Sequence, residues 1–362
     1  MKTKIFLFLA AISLASCQNN KYAVIMDLPD VADSTVVYLY DYETESNTDS
    51  AVVLNAKATI FGTIDGSQIR RVKVPNARTY ANIIVEPGDI NVNFETACGE
   101  GTPLNNNLGK FISFSSELTK SAGQQYEAIL TDSTKDEDSK NAAIEALLND
   151  YNQTLMAHAD SLINLNKNNA FGQFVFWDSY IQSAEKLDFN TYMAALDNAG
   201  DYVASYGPIK TGTEQKENFE NTKPGTKFID FSIEKGNLDG TPAKFSDYIG
   251  NGKVVLVDFW ASWCGPCRRA MPYIKAAYEK FGGDNFNVLG IAVWDKHDRS
   301  IKAIEEEGMT WSLIIDADKI PTDIYGIYGI PELILFDKDG VVLDRSFQPS
   351  DIDKIVSKAL EK

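Results

Sequence analysis

Residues 257–272 read VDFWASWCGPCRRAMP, and KVVL at 253–256 makes the whole a buried strand that runs straight into a helix. Apart from Lys253 and Asp258 the run KVVLVDFW is apolar, the near-continuous pattern of a strand covered on both faces. From Cys267 to Phe281 apolar residues recur at helical spacing, and Pro266 suits a first helical turn, where a missing N–H is no loss. Cys264 and Cys267 thus stand in a C-x-x-C spacing where a helix begins. Two cysteines so placed can close a small disulfide ring, and the first turns its sulfur to unpaired amides at the positive end of the helix dipole. That favours a thiolate at Cys264, the form that attacks a disulfide. Cys267, one turn deeper, is placed to resolve the mixed disulfide, and Gly265 allows close backbone approach. Half of a zinc site is the rival reading. A structural zinc needs two further ligands, and neither His297 nor Cys98 stands at a ligand spacing, so no metal is expected.

Outward from this stretch the alternation of strand and helix continues. FNVLGIAVW (286–294) reads as a second buried strand, a helix is predicted around Ser300 to Glu307, and SLIID (312–316) as a short third strand. ELILFD and VVLDRSF then form a hairpin about Asp339-Gly340. The sum is an α/β unit over residues 223–362.

The motif VDFWASWCGPCRRAMP resembles the thioredoxin superfamily very closely, and the lead-in PGTKFIDFSIEKGNLDGTPAKFSDYIGNGKVVLVDFW (224–260) resembles its TlpA/ResA-like envelope branch. The resemblance covers residues 224 to 362 and implies a thioredoxin fold with a Cys264-Cys267 redox disulfide and no cofactor. It implies that Asp258 relays a proton to or from Cys267, its pKa raised by burial. Pro331, after Gly329 and Ile330, matches the cis-proline that faces the disulfide and lets the preceding backbone pair with an extended substrate. Trp263, Gly265, Pro266, Gly329 and Ile330 are the implied substrate contacts, Trp260 belongs to the core, and Pro272 matches a helix-kinking proline. Two departures stand out. Ala270 occupies the place of a glutamate found in many cytochrome-maturation members, and FNVLGIAVW lacks the lysine that cytosolic thioredoxins set near the buried acid.

Before this unit the texture changes twice. YAVIMD, TVVYLY, ATIFGTI, ANIIVE and INVNF recur between turn signals such as Pro87-Gly88-Asp89, which predicts an antiparallel β-sandwich or small barrel over 18–102. YLYDY and IIVEPGDINV resemble the β-domain that precedes thioredoxin modules in many Gram-negative envelope lipoproteins. Beyond Pro103 the spacing of Phe111, Phe114 and Leu118, then of Ala143, Leu147, Tyr151 and Leu155, predicts two long helices around a charged loop at Asp132 to Asp138. FGQFVFWDSYI (171–181) and Tyr192 to Leu196 complete an all-α segment, 103–222, whose last part, Gly207 to Lys223, reads as a polar connection. His158 has no partner pattern around it. The expected architecture is an α/β thioredoxin fold at the C-terminus, preceded by an antiparallel β-sandwich domain and an all-α segment.

At the other end, Lys2 and Lys4 precede an apolar run from Ile5 to Leu14 that is too short to span a bilayer permanently, the pattern of a cleaved secretory signal. Leu14-Ala15-Ser16-Cys17 resembles the lipobox of bacterial lipoproteins, so residues 1–17 are expected to be a signal ending at a lipidated Cys17. Gln18, Asn19 and Asn20 carry no early Asp, which favours a periplasm-facing lipoprotein, in the inner leaflet of the outer membrane rather than on the inner membrane. Of four cysteines in 362 residues only Cys98 is then left over, and an inert free thiol is its expected state.

The formal charge of −17, with no basic cluster interleaved with aromatics, excludes a nucleic-acid partner. Glycine and proline between the cysteines resemble the reducing end of the superfamily. The expected activity is a protein-disulfide reductase acting on protein disulfides and recharged by a membrane electron donor. An oxidase or isomerase with the same cysteines, and a client-binding scaffold in which the redox unit is secondary, are the alternatives. A peroxidase is disfavoured because Asp258 and Phe259 offer no peroxidatic cysteine ahead of the motif.

Overall fold

In the computed structural model, which describes residues 20–75, 80–182 and 187–361, the chain divides into two units at Ile209/Lys210. The expected signal peptide and Cys17 lie outside the described residues.

Unit 1 opens with a sheet of β1 (Lys21–Asp27), β2 (Val36–Asp41), β3 (Ser46–Val52), β4 (Lys57–Thr63), β5 (Gln68–Lys73), β6 (Tyr80–Val85), β7 (Gly88–Asn93) and β8 (Cys98–Glu100). These form one eight-stranded sheet in the order β3-β2-β5-β6-β8-β7-β1-β4. Its end strands β3 and β4 are neighbours, so the sheet nearly closes on itself. The expectation of an antiparallel β-sandwich is corrected accordingly: there is one sheet rather than two, and it is mixed, because β1 pairs β7 and β6 pairs β8 in parallel. Near-closure leaves few open edges without needing a second sheet. Alternation along β6 shows how its faces are used. Ile83 packs into the sheet interior, and its neighbour Ile84 packs into a second core shared with the helices.

The helices of this unit are α1 (Pro103–Thr131), α2 (Glu137–Leu165), α3 (Ala170–Phe176), α4 (Phe189–Ala199) and α5 (Asp201–Ala204), with a π-helical turn at Trp177–Gln182. Asp136 accepts from Ser139 N and so starts α2 inside the charged loop that the sequence marks. Asn105, wholly buried, fastens α1 to the sheet. It accepts from Ile84 N at 2.9 Å and donates to Ile84 O at 2.6 Å and to Thr102 Oγ1 at 2.8 Å. Gly99 opposite is required by this approach, because a Cβ there would strike Asn105 Oδ1. Cys98, also buried, lies within hydrogen-bond reach of Thr96 Oγ1, and burial pushes its thiol up.

The division at Ile209/Lys210 falls inside α6 (Gly207–Asn221), which the sequence reads as an irregular polar connection. Unit 2 continues with β9 (Ser232–Ile233), β10 (Ala243–Lys244), β11 (Val254–Trp260), α7 (Gly265–Phe281), β12 (Phe286–Ala292), α8 (His297–Glu307), β13 (Ser312–Ile314), α9 (Ile320–Ile324), β14 (Glu332–Phe336), β15 (Val342–Arg345) and α10 (Ile352–Leu360). Its main sheet runs β13-β12-β11-β14-β15, with β11, β12 and β13 parallel and β14 and β15 antiparallel. Every residue of β11 is buried, as its unbroken apolar run requires. Leu256 and Trp260 face a core with α7 and α10, while Val255, Val257 and Phe259 face the opposite one. Among the described residues no helix is long and apolar enough to cross a membrane.

Replacing Asn105 with Leu orphans the N–H and C=O of Ile84 in the core, at roughly 1–3 kcal/mol for each buried group left unsatisfied. Chemical denaturation of N105L is expected to show a loss of several kcal/mol, on the order of twice that of a single orphaned group; a loss indistinguishable from zero would count against the fastening role.

Candidate redox site

The C-terminal end of β11 delivers Ala261 to Trp263 into a short turn, and α7 starts immediately afterwards with Cys264 as its N-cap. Cys267 N–H donates to Cys264 Sγ at 3.1 Å, so the sulfur takes the place that a serine or aspartate oxygen has at other helix starts. The two cysteines are joined as a disulfide with an S–S distance of 2.04 Å. Cys267 is fully buried. Cys264 is 3% exposed, and Ile330 O lies 3.5 Å from its Sγ. The Ile330-Pro331 peptide bond is cis. Trp263 (56% exposed), Gly265, Pro266 and Gly329 are exposed around the disulfide, and Ile330 and Pro331 are half-buried. Trp260 is in the core.

Asp258 lies on the face of β11 that it shares with Leu256 and Trp260, and those two pack in one core with Cys264 and Cys267. Its backbone neighbours are Gly290 of β12 and Leu333 of β14, neither of which offers a charge. Neither carboxyl oxygen has a hydrogen-bond partner among the described residues. Burial alone pushes its pKa from 3.8 up to about 7. A carboxyl so poised exchanges a proton near neutrality, which is what a base serving a buried thiol needs.

The sequence reading missed a second acid that shapes the site. Asp295, just past β12, accepts from Ser262 N at 2.6 Å, Ser262 Oγ at 3.0 Å and Ser300 Oγ at 3.1 Å, and so holds the turn that carries Trp263. Trp263 Nε1 donates to Trp294 O at 3.0 Å, and Arg268 Nε donates to Ser262 O at 3.0 Å. An aspartate directly after a buried strand and before a helix was the available signal. Among the described residues there is no group of three or more His, Cys, Asp or Glu that could hold a metal ion.

A parallel β-α-β core extended by an antiparallel hairpin, with a dicysteine at the strand-to-helix turn and a cis-proline against it, defines a thioredoxin-like protein. Residues 224–345 match the AhpC/TSA family, and residues 22–108 match a domain of unknown function, DUF4369. The thiol-disulfide oxidoreductase ResA of Geobacillus thermodenitrificans is 32% identical over 118 residues, 33% of this chain and 66% of that protein. ResA of Bacillus subtilis is 25% identical over 124 residues, 34% of this chain and 67% of that protein. The chain spans less than two thirds of the length of the ResA proteins of Geobacillus thermodenitrificans and Geobacillus kaustophilus, 66% and 60%. Among solved structures, the thioredoxin domain of a thiol-disulfide oxidoreductase from Bacteroides vulgatus is 29% identical, covers 37% of this chain and 96% of its own, and superposes with a TM-score of 0.34. Residues 224–345 thus carry an AhpC/TSA thioredoxin-like domain whose homologues include the ResA thiol-disulfide oxidoreductases.

The buried acid generates a signed pH dependence. Asp258 costs the folded state nothing below its ordinary pKa of 3.8, and the cost grows until the folded-state group ionises at about 7. Wild type is therefore expected to lose stability relative to D258N as pH rises across that window, by on the order of 4 kcal/mol, from about 1.4 kcal/mol per pH unit. Unfolding curves of the two proteins from pH 4 to pH 8 check this; parallel pH profiles would refute the assignment.

Proposed function

We propose that this chain is an envelope lipoprotein that reduces protein disulfides by dithiol-disulfide exchange through Cys264 and Cys267. The observation that carries the reading is Cys264 Sγ itself, capped by Cys267 N–H, bonded to Cys267 and lying beside Ile330 O. In the dithiol form the Cys264 thiolate attacks one sulfur of the substrate disulfide. The substrate's S–S bond breaks, its other sulfur leaves as a thiolate and takes up a proton, and a mixed disulfide joins the two proteins. The Asp258 carboxylate takes the proton of Cys267, whose sulfur then attacks Cys264 Sγ. The substrate leaves as a dithiol, two electrons have passed to it, and the Cys264-Cys267 disulfide remains. A membrane electron donor returns the two electrons.

Pairing of an extended substrate with the backbone at Gly329 and half-buried Ile330, beside exposed Trp263, Gly265 and Pro266, is the recognition mode that these positions support. Lipid on Cys17 would hold the chain at the periplasmic face of the outer membrane, with residues 223–362 as the redox domain. Oxidase action runs the same exchange in reverse, and isomerase action returns the electron pair to the same substrate with no net transfer; the potential of the pair separates reductase from oxidase.

C267A is expected to freeze the mixed disulfide on Cys264 and to recover thiol-linked envelope proteins, identifiable by mass and released by a reductant. C264A/C267A recovers none. If C267A also recovers none, exchange with protein disulfides is not the activity. A peroxide-consumption assay on the wild type, expected to be negative, separates the reductase from a peroxidase.

A further inference from the structure

The side chain of Arg345, at the end of β15, is 3% exposed, and a buried guanidinium is tolerable only where its donors find acceptors. It finds them on three segments. Nε and Nη2 donate to Glu332 Oε1 at 3.1 and 2.9 Å, and Nη2 also donates to Tyr325 O at 3.1 Å. Nη1 donates to Thr222 Oγ1 at 2.8 Å and lies 3.4 and 3.5 Å from the carbonyls of Thr222 and Phe219, where α6 ends. The guanidinium also sits 3.9 Å from the centre of the Phe219 ring. A cation there meets the carbonyls at the end of α6 and the negative end of the helix dipole.

What Arg345 joins gives the contact its meaning. Glu332 directly follows Pro331, and Ile330 O is the group beside Cys264 Sγ. Ser346 Oγ donates to both oxygens of Glu332, at 2.9 and 3.0 Å, which fixes the carboxylate further. The loop leading to the cis-proline is held by α6 as well. Asn218 Nδ2 donates to Asp323 O at 3.0 Å, and Gly326, with φ +60°, has no Cβ to strike Gln215 O and Phe219 N. A buried ion pair is by itself weak evidence for stability, since apolar residues of similar volume often serve as well. Its directional bonds fix where the strand after Pro331 begins.

We propose that Arg345, Glu332 and the end of α6 form a positioning clamp that fixes the Gly329-Ile330-Pro331 segment for pairing with an extended polypeptide. Residues 210–222, which precede the family match at 224–345, are then part of the redox unit. The substrate side of this inference rests on the reductase reading above; the clamp itself does not.

The test uses the full chain and the variants F219A and T222V, which loosen the α6 side while leaving Glu332 and Arg345 in place, together with R345M. Hydrogen exchange of the peptide covering 326–334 is expected to accelerate about tenfold in F219A, with α7 unchanged within about twofold. Turnover of a protein disulfide should fall about tenfold in kcat/KM, chiefly through KM, while a small aromatic disulfide changes by less than about twofold. Unchanged exchange at 326–334 overturns the clamp whatever the chain's activity. Accelerated exchange with both substrates losing equally reduces it to a strut and overturns the positioning role. If wild type reduces neither disulfide, the reductase reading fails and exchange alone decides the clamp. Should R345M fail to fold, F219A and T222V decide the question.

Discussion

The site depends on one sulfur being held by backbone rather than by side chains. Cys264 Sγ accepts from the amide of Cys267, is bonded to its sulfur and lies beside the carbonyl of Ile330. The amide and carbonyl come from main chain, so their positions are set by the ends of β11 and β14 and the start of α7. That is why the fold places β11 between β12 and β14 in an unbroken register from Val255 to Phe259. A shift of one residue in β14 would carry Ile330 away from the sulfur and turn its side chain to the other face. The central sheet is thus the ruler for the chemistry, and the exposed residues around the disulfide are free to serve recognition.

Two buried acids flank this ruler and do opposite things. Burial raises both Asp258 and Glu332. At Asp258, whose oxygens have no hydrogen-bond partner among the described residues, nothing offsets it, and the pKa rises to about 7. At Glu332 the guanidinium of Arg345 and the hydroxyl of Ser346 pull the other way and hydrogen-bond the carboxyl group. The proposed proton relay needs the first arrangement, and the proposed positioning clamp needs the second. Partners, rather than burial, separate the two acids.

In unit 2 the five strands of the main sheet, with α7 and α8, were legible because burial on both faces writes a continuous apolar run, as in VVLVDFW, and because the dicysteine marks where strand becomes helix. By contrast β9, β10, α9 and α10 are short or lie outside those runs and were not legible. In unit 1 the predicted strands were the apolar ones. β3, SNTDSAV, is an edge strand whose residues are nearly all exposed, so no alternation betrays it. β5, QIRRVK, hides behind two arginines: Arg70 pairs with Asp41 at 3.2 Å, and Arg71 lies over the rings of Tyr42 and Tyr80. Their charges look like surface in a sequence and act as packing in the fold. The sandwich expectation failed for a related reason, since period-two runs describe strands and not how a sheet closes.

The same blindness affects the start of the redox unit. A boundary drawn from texture falls where apolar periodicity resumes, at Pro224, and the family match begins there too. Yet α6 carries few apolar residues, and its end meets this unit through groups such as backbone carbonyls, the Thr222 hydroxyl, the Asn218 amide and the Phe219 ring. Those groups have no period to detect. A unit cut at Pro224 would keep every residue of the redox motif and would strip Nη1 of Arg345 of its acceptors at Thr222 and Phe219. The edge of a domain is set by where its buried polar groups are satisfied, and here that lies one helix turn and a loop upstream of where its hydrophobic pattern starts.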